Sequence, residues 1–179
     1  ALLARHDFHA PREILTAENG FFHAFVGDRE AGHEVVTDLG GTYLMKDLLF
    51  KRYSVGGPNL APLYAYLQLL ARHKFKSEDI VQIDVISAGG RAVGITDHHP
   101  SIHTETVLSL AACYGEFTFR HAHDPDYCTT LRYLDFRKRT RINVTPRRGP
   151  AQRAHRLQAD MTVRTRDGSA YQLAVDYPL

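Results

Sequence analysis

The C-terminal end of the chain carries the pattern that most restricts its fold. Met161, Val163 and Thr165 alternate with polar residues, and a second alternating run extends from Tyr171 to Tyr177. Asp167-Gly168 separates the two runs, and this dipeptide between alternating segments is a strong short-range signal of a β-hairpin. The sequence therefore predicts two antiparallel strands at this end of the chain.

Two further strands and a helix are predicted in the middle of the chain. "MKDLLFKRYSV" is a strand candidate, and "DIVQIDVIS" predicts a β-branched strand with Val81, Ile83 and Val85 on one face. Between them, apolar residues recur with helical spacing from Leu60 onwards, and Asn59 is expected to cap this helix.

Two more helices and a strand complete the pattern. One helix is predicted from Ile102 to Tyr114, ending at Gly115. Another is expected to begin at Asp124-Pro125, with Tyr127, Leu131 and Leu134 on one side, and "RINVT" follows as a strand. This order of elements predicts an α+β fold, a two-layer α/β sandwich in which a sheet carries helices on one side.

We place this sandwich at residues 46–179 and expect a short helical segment at residues 1–45. Phe21, Phe22 and Phe25 form an aromatic cluster there, which either folds back on the rest of the chain or docks against another domain. The opening "ALLARHDF" reads like the end of a helix already under way, so we expect an upstream part.

Composition narrows the class of protein. The formal net charge is +2, which is too small to indicate nucleic-acid binding by itself. No apolar run approaches the roughly 20 residues that span a bilayer. The two cysteines do not make a disulfide framework, so we expect a cytoplasmic protein. Because the charge is small and no long apolar run is present, we expect it to bind neither nucleic acids nor membranes. Basic residues crowd positions 137–156, but without interleaved aromatic residues they are better explained as a solvated face.

The stretch "KRYSVGGPNLAP", residues 51–62, leads through a glycine-rich turn into a helix. Backbone N–H groups at such a helix start can bind a carboxylate or phosphate. Lys51 and Arg52 add positive charge just before the turn. A purely structural turn is the alternative. In the binding interpretation the amides come from Gly56, Gly57, Asn59, Leu60 and Ala61.

Histidines cluster in "DHHPSIHTE" and "RHAHD". Neither cluster has a recognised zinc spacing, so we predict no metal site and interpret most of these residues as exposed loop histidines. His103 is the exception that we keep as a candidate catalytic proton carrier, because imidazole titrates near neutral pH.

Several segments, in order, resemble the C-terminal half of the MmgE/PrpD family, which includes 2-methylcitrate dehydratase, cis-aconitate decarboxylase and iminodisuccinate epimerase. They are "GFFHAFVGD", "LLFKRYSVGGPNLAPLYAYLQLL", "EDIVQIDV", "HPSIHTETVLSLAACYGEFTF", "AHD" and "VRTRDGSAYQLAVDYP". The resemblance spans nearly the whole chain, and its weight comes from the collinear order rather than from any one motif.

The resemblance implies the α/β lid domain of a cofactor-independent lyase or isomerase that acts on small di- or tricarboxylates. Such an enzyme needs a helical domain, on the same or another chain, that supplies the main base, and we expect a homodimer. The resemblance implies substrate-binding roles for Lys51 and Thr106. Together with the glycine-rich turn, it leads us to predict a substrate-binding set of Lys51, Ser54, Gly56, Gly57, Asn59 and Thr106. Many members carry a Thr-His pair after the lysine, whereas Asn59-Leu60 stands near that place here. A non-catalytic interaction module of the same fold is the alternative.

Overall fold

A computed structural model describes residues 2–9, 11–28, 31–43, 45, 48, 50–87, 99–146 and 157–176. Its contacts divide the chain into two compact units, Ala1–Leu49 and Phe50–Leu179. In its described residues, the first unit contains three short helices, α1 (Leu2–Arg5), α2 (Phe21–Val26) and α3 (Gly32–Val36).

The aromatic cluster of the first unit lies on α2. Phe22 is buried and meets Phe21 edge-on, with 5.8 Å between the ring centroids. Phe21 and Phe25 lie 4.8 Å apart, yet they remain 51% and 77% exposed. The cluster therefore buries one ring and leaves two at the surface of this unit.

The second unit is built on a mixed four-stranded sheet. Its strands are β1 (Ile80–Ser87), β2 (Arg141–Pro146), β3 (Ala159–Thr165) and β4 (Ala170–Val175), in the spatial order β2-β1-β3-β4. β1 is parallel to β2 and antiparallel to β3, and β3 and β4 form the predicted hairpin. Gly168 supplies the positive φ of 88° in the turn, a conformation that glycine adopts without strain.

Helices pack against the sheet and form the core with it. They are α4 (Leu60–His73), α5 (Thr104–Tyr114), α6 (Phe119–His123) and α7 (Leu131–Arg139). α4 packs on β3 and β4, while α5 packs on β2, α4 and α7. The fully buried side chains include Leu63, Ile83, Leu108, Phe136 and Val163. The predicted α+β fold, with helices on a sheet and short helical segments before it, is confirmed.

Two strand predictions need correction. Residues 52–55 form bends, and the described part of residues 45–55 contains no strand. In β1, Val81 is half-exposed, whereas Ile80, Ile83 and Val85 are buried. The pairing of β1 with β3 shifts register between Ile80 and Gln82, which breaks the simple alternation assumed from the sequence.

The third predicted helix is two elements. Asp124 Oδ1 accepts the Asp126 N–H at 3.0 Å and begins a 3₁₀ turn, Pro125–Cys128, which then ends. Thr130 starts α7 by accepting the Tyr133 N–H at 3.2 Å. The predicted apolar side is also wrong, because Leu131 is 86% exposed; Tyr133 and Phe136 are the buried residues of α7.

Among the residues that the structure describes, no helix combines the length and apolar character needed to cross a membrane. Tyr177 of the predicted hairpin lies outside the described residues.

Candidate functional site

A cavity of about 510 Å³ lies beside the segment that precedes α4. One wall is the bend that carries Lys51, Arg52, Tyr53 and Ser54, and the other wall is the connection from α5 into α6. The second wall is lined by Phe117, Thr118 and Phe119. The lining residues thus bring two cationic side chains, three hydroxyl groups and three aromatic rings to one concave surface, with Tyr53 counted both as a hydroxyl and as a ring.

Ser54 makes the most distinctive contact at this cavity. Its Oγ lies 2.6 Å from Nε2 of His123, the last residue of α6. Both side chains are exposed. The His123 ring lies 4.5 Å from the ring of Phe119, one helical turn earlier in α6, and Phe119 also lines the cavity. The fold thus brings together a hydroxyl and an imidazole beside the cavity from residues that lie far apart along the chain.

A reciprocal capping interaction fixes the start of α6. The Thr118 hydroxyl accepts the His121 N–H at 3.4 Å, and Nδ1 of His121 accepts the Thr118 N–H at 3.1 Å. His121 is buried and stacks on Tyr114, with 4.8 Å between centroids. Burial lowers the pKa of His121 below its ordinary value, which favours the neutral ring that this acceptor role requires.

Lys51 lies in the cavity wall with its ammonium turned to its own chain. Nζ donates to the Val55 carbonyl at 3.1 Å, and Val55 is buried. An ammonium has three N–H donors, so this bond leaves donor capacity for an anion in the cavity. Lys51 both stabilises the bend and presents positive charge to the cavity.

The backbone amides of the glycine-rich turn differ from the arrangement predicted from the sequence. The Gly56 N–H donates to the Ser101 carbonyl at 2.9 Å, and the Asn59 N–H donates to the Gly56 carbonyl at 2.9 Å. The Leu60 N–H donates to the Gly57 carbonyl. The expectation that these three amides point towards a ligand is wrong, because the chain itself uses them.

Asn59 joins the turn to the start of α5. Its side chain is 1% exposed, and Nδ2 donates to the carbonyls of Ser101 at 3.0 Å and Ile102 at 2.8 Å. Its Oδ1 accepts the Thr104 hydroxyl at 2.6 Å. Asn59 occupies the predicted N-cap position of α4, but its side chain makes no capping hydrogen bond there. Its amide hydrogens are used by two carbonyls, so the buried Asn59 side chain does not face a ligand. It holds the glycine-rich turn against the start of α5, and we call it the asparagine clamp.

The remaining predicted site residues lie away from the cavity lining. His103 precedes the first turn of α5, and its Nε2 is a buried atom that makes no hydrogen bond among the described residues. Thr106 lies in the first turn of α5 and is half-buried. Gly57 lies in the 3₁₀ turn Gly57–Asn59. The structure thus brings Lys51 and Ser54 together at one cavity, and roles for His103, Thr106 and Gly57 stay predictions.

Two arginines of the basic stretch 137–156 make contacts within the folded chain. Arg137 contacts Glu105 at 3.4 Å, and Arg139 donates to the Ser77 carbonyl at 2.8 Å. Burial raises the pKa of the Cys113 thiol, which disfavours the thiolate needed for nucleophilic chemistry. Within the described ranges, no group of three His, Cys, Asp or Glu residues could hold a metal ion. His98 and the basic residues 147–156 lie outside the described residues.

His123 is the functional candidate that sequence reasoning passed over. Its cluster has no recognised zinc spacing, which favours an exposed loop histidine, and no local pattern links it to Ser54, which lies 69 residues earlier.

No protein-family model matches the chain, and no curated protein matches it.

Proposed function

We propose that this chain is the C-terminal lid portion of a lyase or isomerase that acts on small di- or tricarboxylates without a metal or organic cofactor. The reaction class is dehydration, decarboxylation or epimerisation, beginning with proton abstraction next to a carboxylate. The main base lies on a helical domain, supplied by the same or a separate chain. The two cysteines, which do not make a disulfide framework, support a cytoplasmic location for such an enzyme.

The observation that carries this proposal is the cationic cavity formed by Lys51 and Arg52 next to Ser54. A di- or tricarboxylate is small and multiply charged, and it needs cations and hydroxyl groups in a concave site. The cavity volume of about 510 Å³ is within the range of small-molecule sites. Lys51 binds a substrate carboxylate with the donors that its bond to Val55 leaves available.

Replacement of Lys51 by alanine tests the role of the cation. A charge-assisted bond contributes about 1.5–3 kcal/mol, which corresponds to a loss of roughly 10- to 150-fold in kcat/KM. The assay uses the chain assembled with its helical domain and a panel of di- and tricarboxylates. Lys138→Ala is the matched control, because Lys138 is an exposed lysine on α7 and does not line the cavity. Unchanged kinetics for Lys51→Ala, or no turnover of any carboxylate by the complete assembly, would reject the proposal.

The exposed aromatic pair on α2 favours a second candidate, a non-catalytic interaction module. Phe21 and Phe25 expose two adjacent rings, and adjacent exposed aromatic rings favour protein association. Self-association through this pair agrees with the expected homodimer. Mass measurement in solution, compared with Phe25→Ser, tests this candidate. A monomeric wild-type chain, or a dimer that Phe25→Ser leaves intact, would dismiss the pair as a self-association surface.

A further inference from the structure

The hydrogen bond between Ser54 and His123 has no part in the carboxylate-binding role of Lys51. Ser54 Oγ and His123 Nε2 are separated by 2.6 Å, and both side chains reach solvent beside the cavity. In the tautomer that leaves Nε2 without a hydrogen, the Ser54 hydroxyl donates to this nitrogen, and a hydroxyl that donates to an imidazole nitrogen is the arrangement that activates serine as a nucleophile. The hydroxyl is also a member of the cavity lining, so a bound molecule can reach it.

The surroundings hold both partners in place. Lys51 Nζ bonds the Val55 carbonyl and closes the bend around Ser54. On the other side, the contact between the His123 and Phe119 rings restricts the imidazole within α6. A nucleophile and a base on two separately anchored segments keep their geometry without a bound ligand, which is the condition for pre-organised catalysis.

We propose that Ser54 and His123 form an acyl-transfer site for anionic esters. Neutral His123 accepts the Ser54 hydroxyl proton at Nε2 while Oγ attacks the ester carbonyl carbon. The C–O bond to the leaving alcohol then breaks, and the alcohol takes the proton from Nε2. Water, deprotonated by the same nitrogen, then attacks the acyl carbon, and the bond from this carbon to Ser54 Oγ breaks. Oγ takes the proton back from Nε2, which regenerates the serine and releases the free carboxylic acid.

The lining of the cavity sets the substrate class. Lys51 and Arg52 favour an ester that carries a carboxylate, since both cations border the same cavity as the hydroxyl. Phe117 and Phe119 provide an apolar surface for the leaving group. The monoester of a short dicarboxylic acid with an aromatic alcohol has both features.

A fluorophosphonate reagent tests the nucleophile on the full chain. The Oγ–P bond forms, the P–F bond breaks, and the hydroxyl proton leaves with fluoride after transfer to His123. We expect a single label, located on Ser54 by peptide mass spectrometry. His123→Gln should slow labelling by about 100-fold or more, as for loss of a general base. His9→Gln is the matched control, because His9 is an exposed histidine outside the Phe50–Leu179 unit.

Hydrolysis of mono-p-nitrophenyl succinate, compared with p-nitrophenyl acetate, tests the substrate class. We expect a preference for the anionic ester that decreases in Arg52→Ala, and no turnover by Ser54→Ala. Far-UV circular dichroism checks that each variant folds. Absent labelling of wild type, or labelling that His123→Gln leaves unchanged, would overturn the proposal, as would equal turnover of the two esters. Neither assay needs a helical domain, so this proposal stands or falls independently of the lyase function.

Discussion

Replacing Asn59 with alanine should destabilise the Phe50–Leu179 unit strongly. The buried Asn59 side chain makes three hydrogen bonds, two to the carbonyls of Ser101 and Ile102 and one with the Thr104 hydroxyl. After its removal the Ser101 carbonyl still accepts the Gly56 N–H. The Ile102 carbonyl and the Thr104 hydroxyl lose the partner they have in Asn59. Leaving each of these two groups without its partner costs about 1–3 kcal/mol. Because the structure can relax partially, we expect the free energy of unfolding to fall by about 2–4 kcal/mol.

The measurement is urea unfolding followed by far-UV circular dichroism, since the chain contains no tryptophan to serve as a fluorescence probe. The midpoint of thermal unfolding should fall by roughly 6–15 °C. A double-mutant cycle with Thr104→Val isolates the shortest of the three bonds, that between the hydroxyl and Oδ1 at 2.6 Å. We expect a coupling free energy of about 0.5–3 kcal/mol between the two positions.

Asn143→Ala provides a matched control for the asparagine clamp. Its Nδ2 donates to Asp84 Oδ1 at 2.6 Å, but Asn143 is exposed, so water can replace the bond. We expect a change within about 0.5 kcal/mol for this variant. If Asn59→Ala is no more damaging than Asn143→Ala, then Asn59 is not a buried clamp and the reasoning fails.

Two further predictions concern glycine conformation and pH. An added Cβ meets no atom within 4 Å at Gly57 or at Gly115, but only Gly115 has a positive φ, 76°. Gly57→Ala should therefore stabilise by about 0.4–1 kcal/mol, and Gly115→Ala should destabilise by about 1–2 kcal/mol, both measured by urea unfolding; equal effects would contradict this. Burial lowers the pKa of His121, so the unfolded chain takes up a proton that the folded chain resists. Stability should then fall as pH drops below about 6.5, and His121→Gln should reduce this slope between pH 7.5 and 5; an unchanged slope would count against it.

The long periodic elements could be predicted from the sequence because their own residues decide them. In α4, apolar residues recur with helical spacing along its 14 residues, and the helix buries Leu63, Tyr66 and Leu69 on one side. The end of α5 was predicted at Gly115, and this residue adopts the left-handed conformation that closes the helix. Such signals depend only on neighbouring residues in the chain, and in these two helices the tertiary contacts agree with them.

The failed strand shows where local pattern is insufficient. The composition of residues 45–55 suggests a strand, but a strand needs a neighbouring strand to bond its backbone. The sheet has the order β2-β1-β3-β4, and none of its strands comes from this segment. Phe50, an aromatic residue of this segment, is 94% exposed and so does not enter the core of its unit.

The candidate site depends on pairings that the sequence does not reveal. The glycine-rich turn suggested an anion site because helix starts offer unpaired amides, but the connection before α5 lies against the turn and takes the Gly56 N–H through Ser101. The Ser54–His123 pair arises in the same way, from a bend and a short helix that meet only in the folded chain. Residue type identified a serine and a histidine, but only packing identified them as partners.

A series of hydrogen bonds connects the cavity wall to the asparagine clamp. Lys51 closes the bend through the Val55 carbonyl, and the next residue, Gly56, is tied to Ser101, which also accepts from Asn59. The wall that carries Ser54 is therefore anchored to the start of α5, while α6, which carries His123, follows the end of α5. Because most residues of α5 are buried, we expect that loosening its start would shift the Ser54 bend relative to α6. Any activity of the Ser54–His123 pair should then decline together with the stability of the clamp.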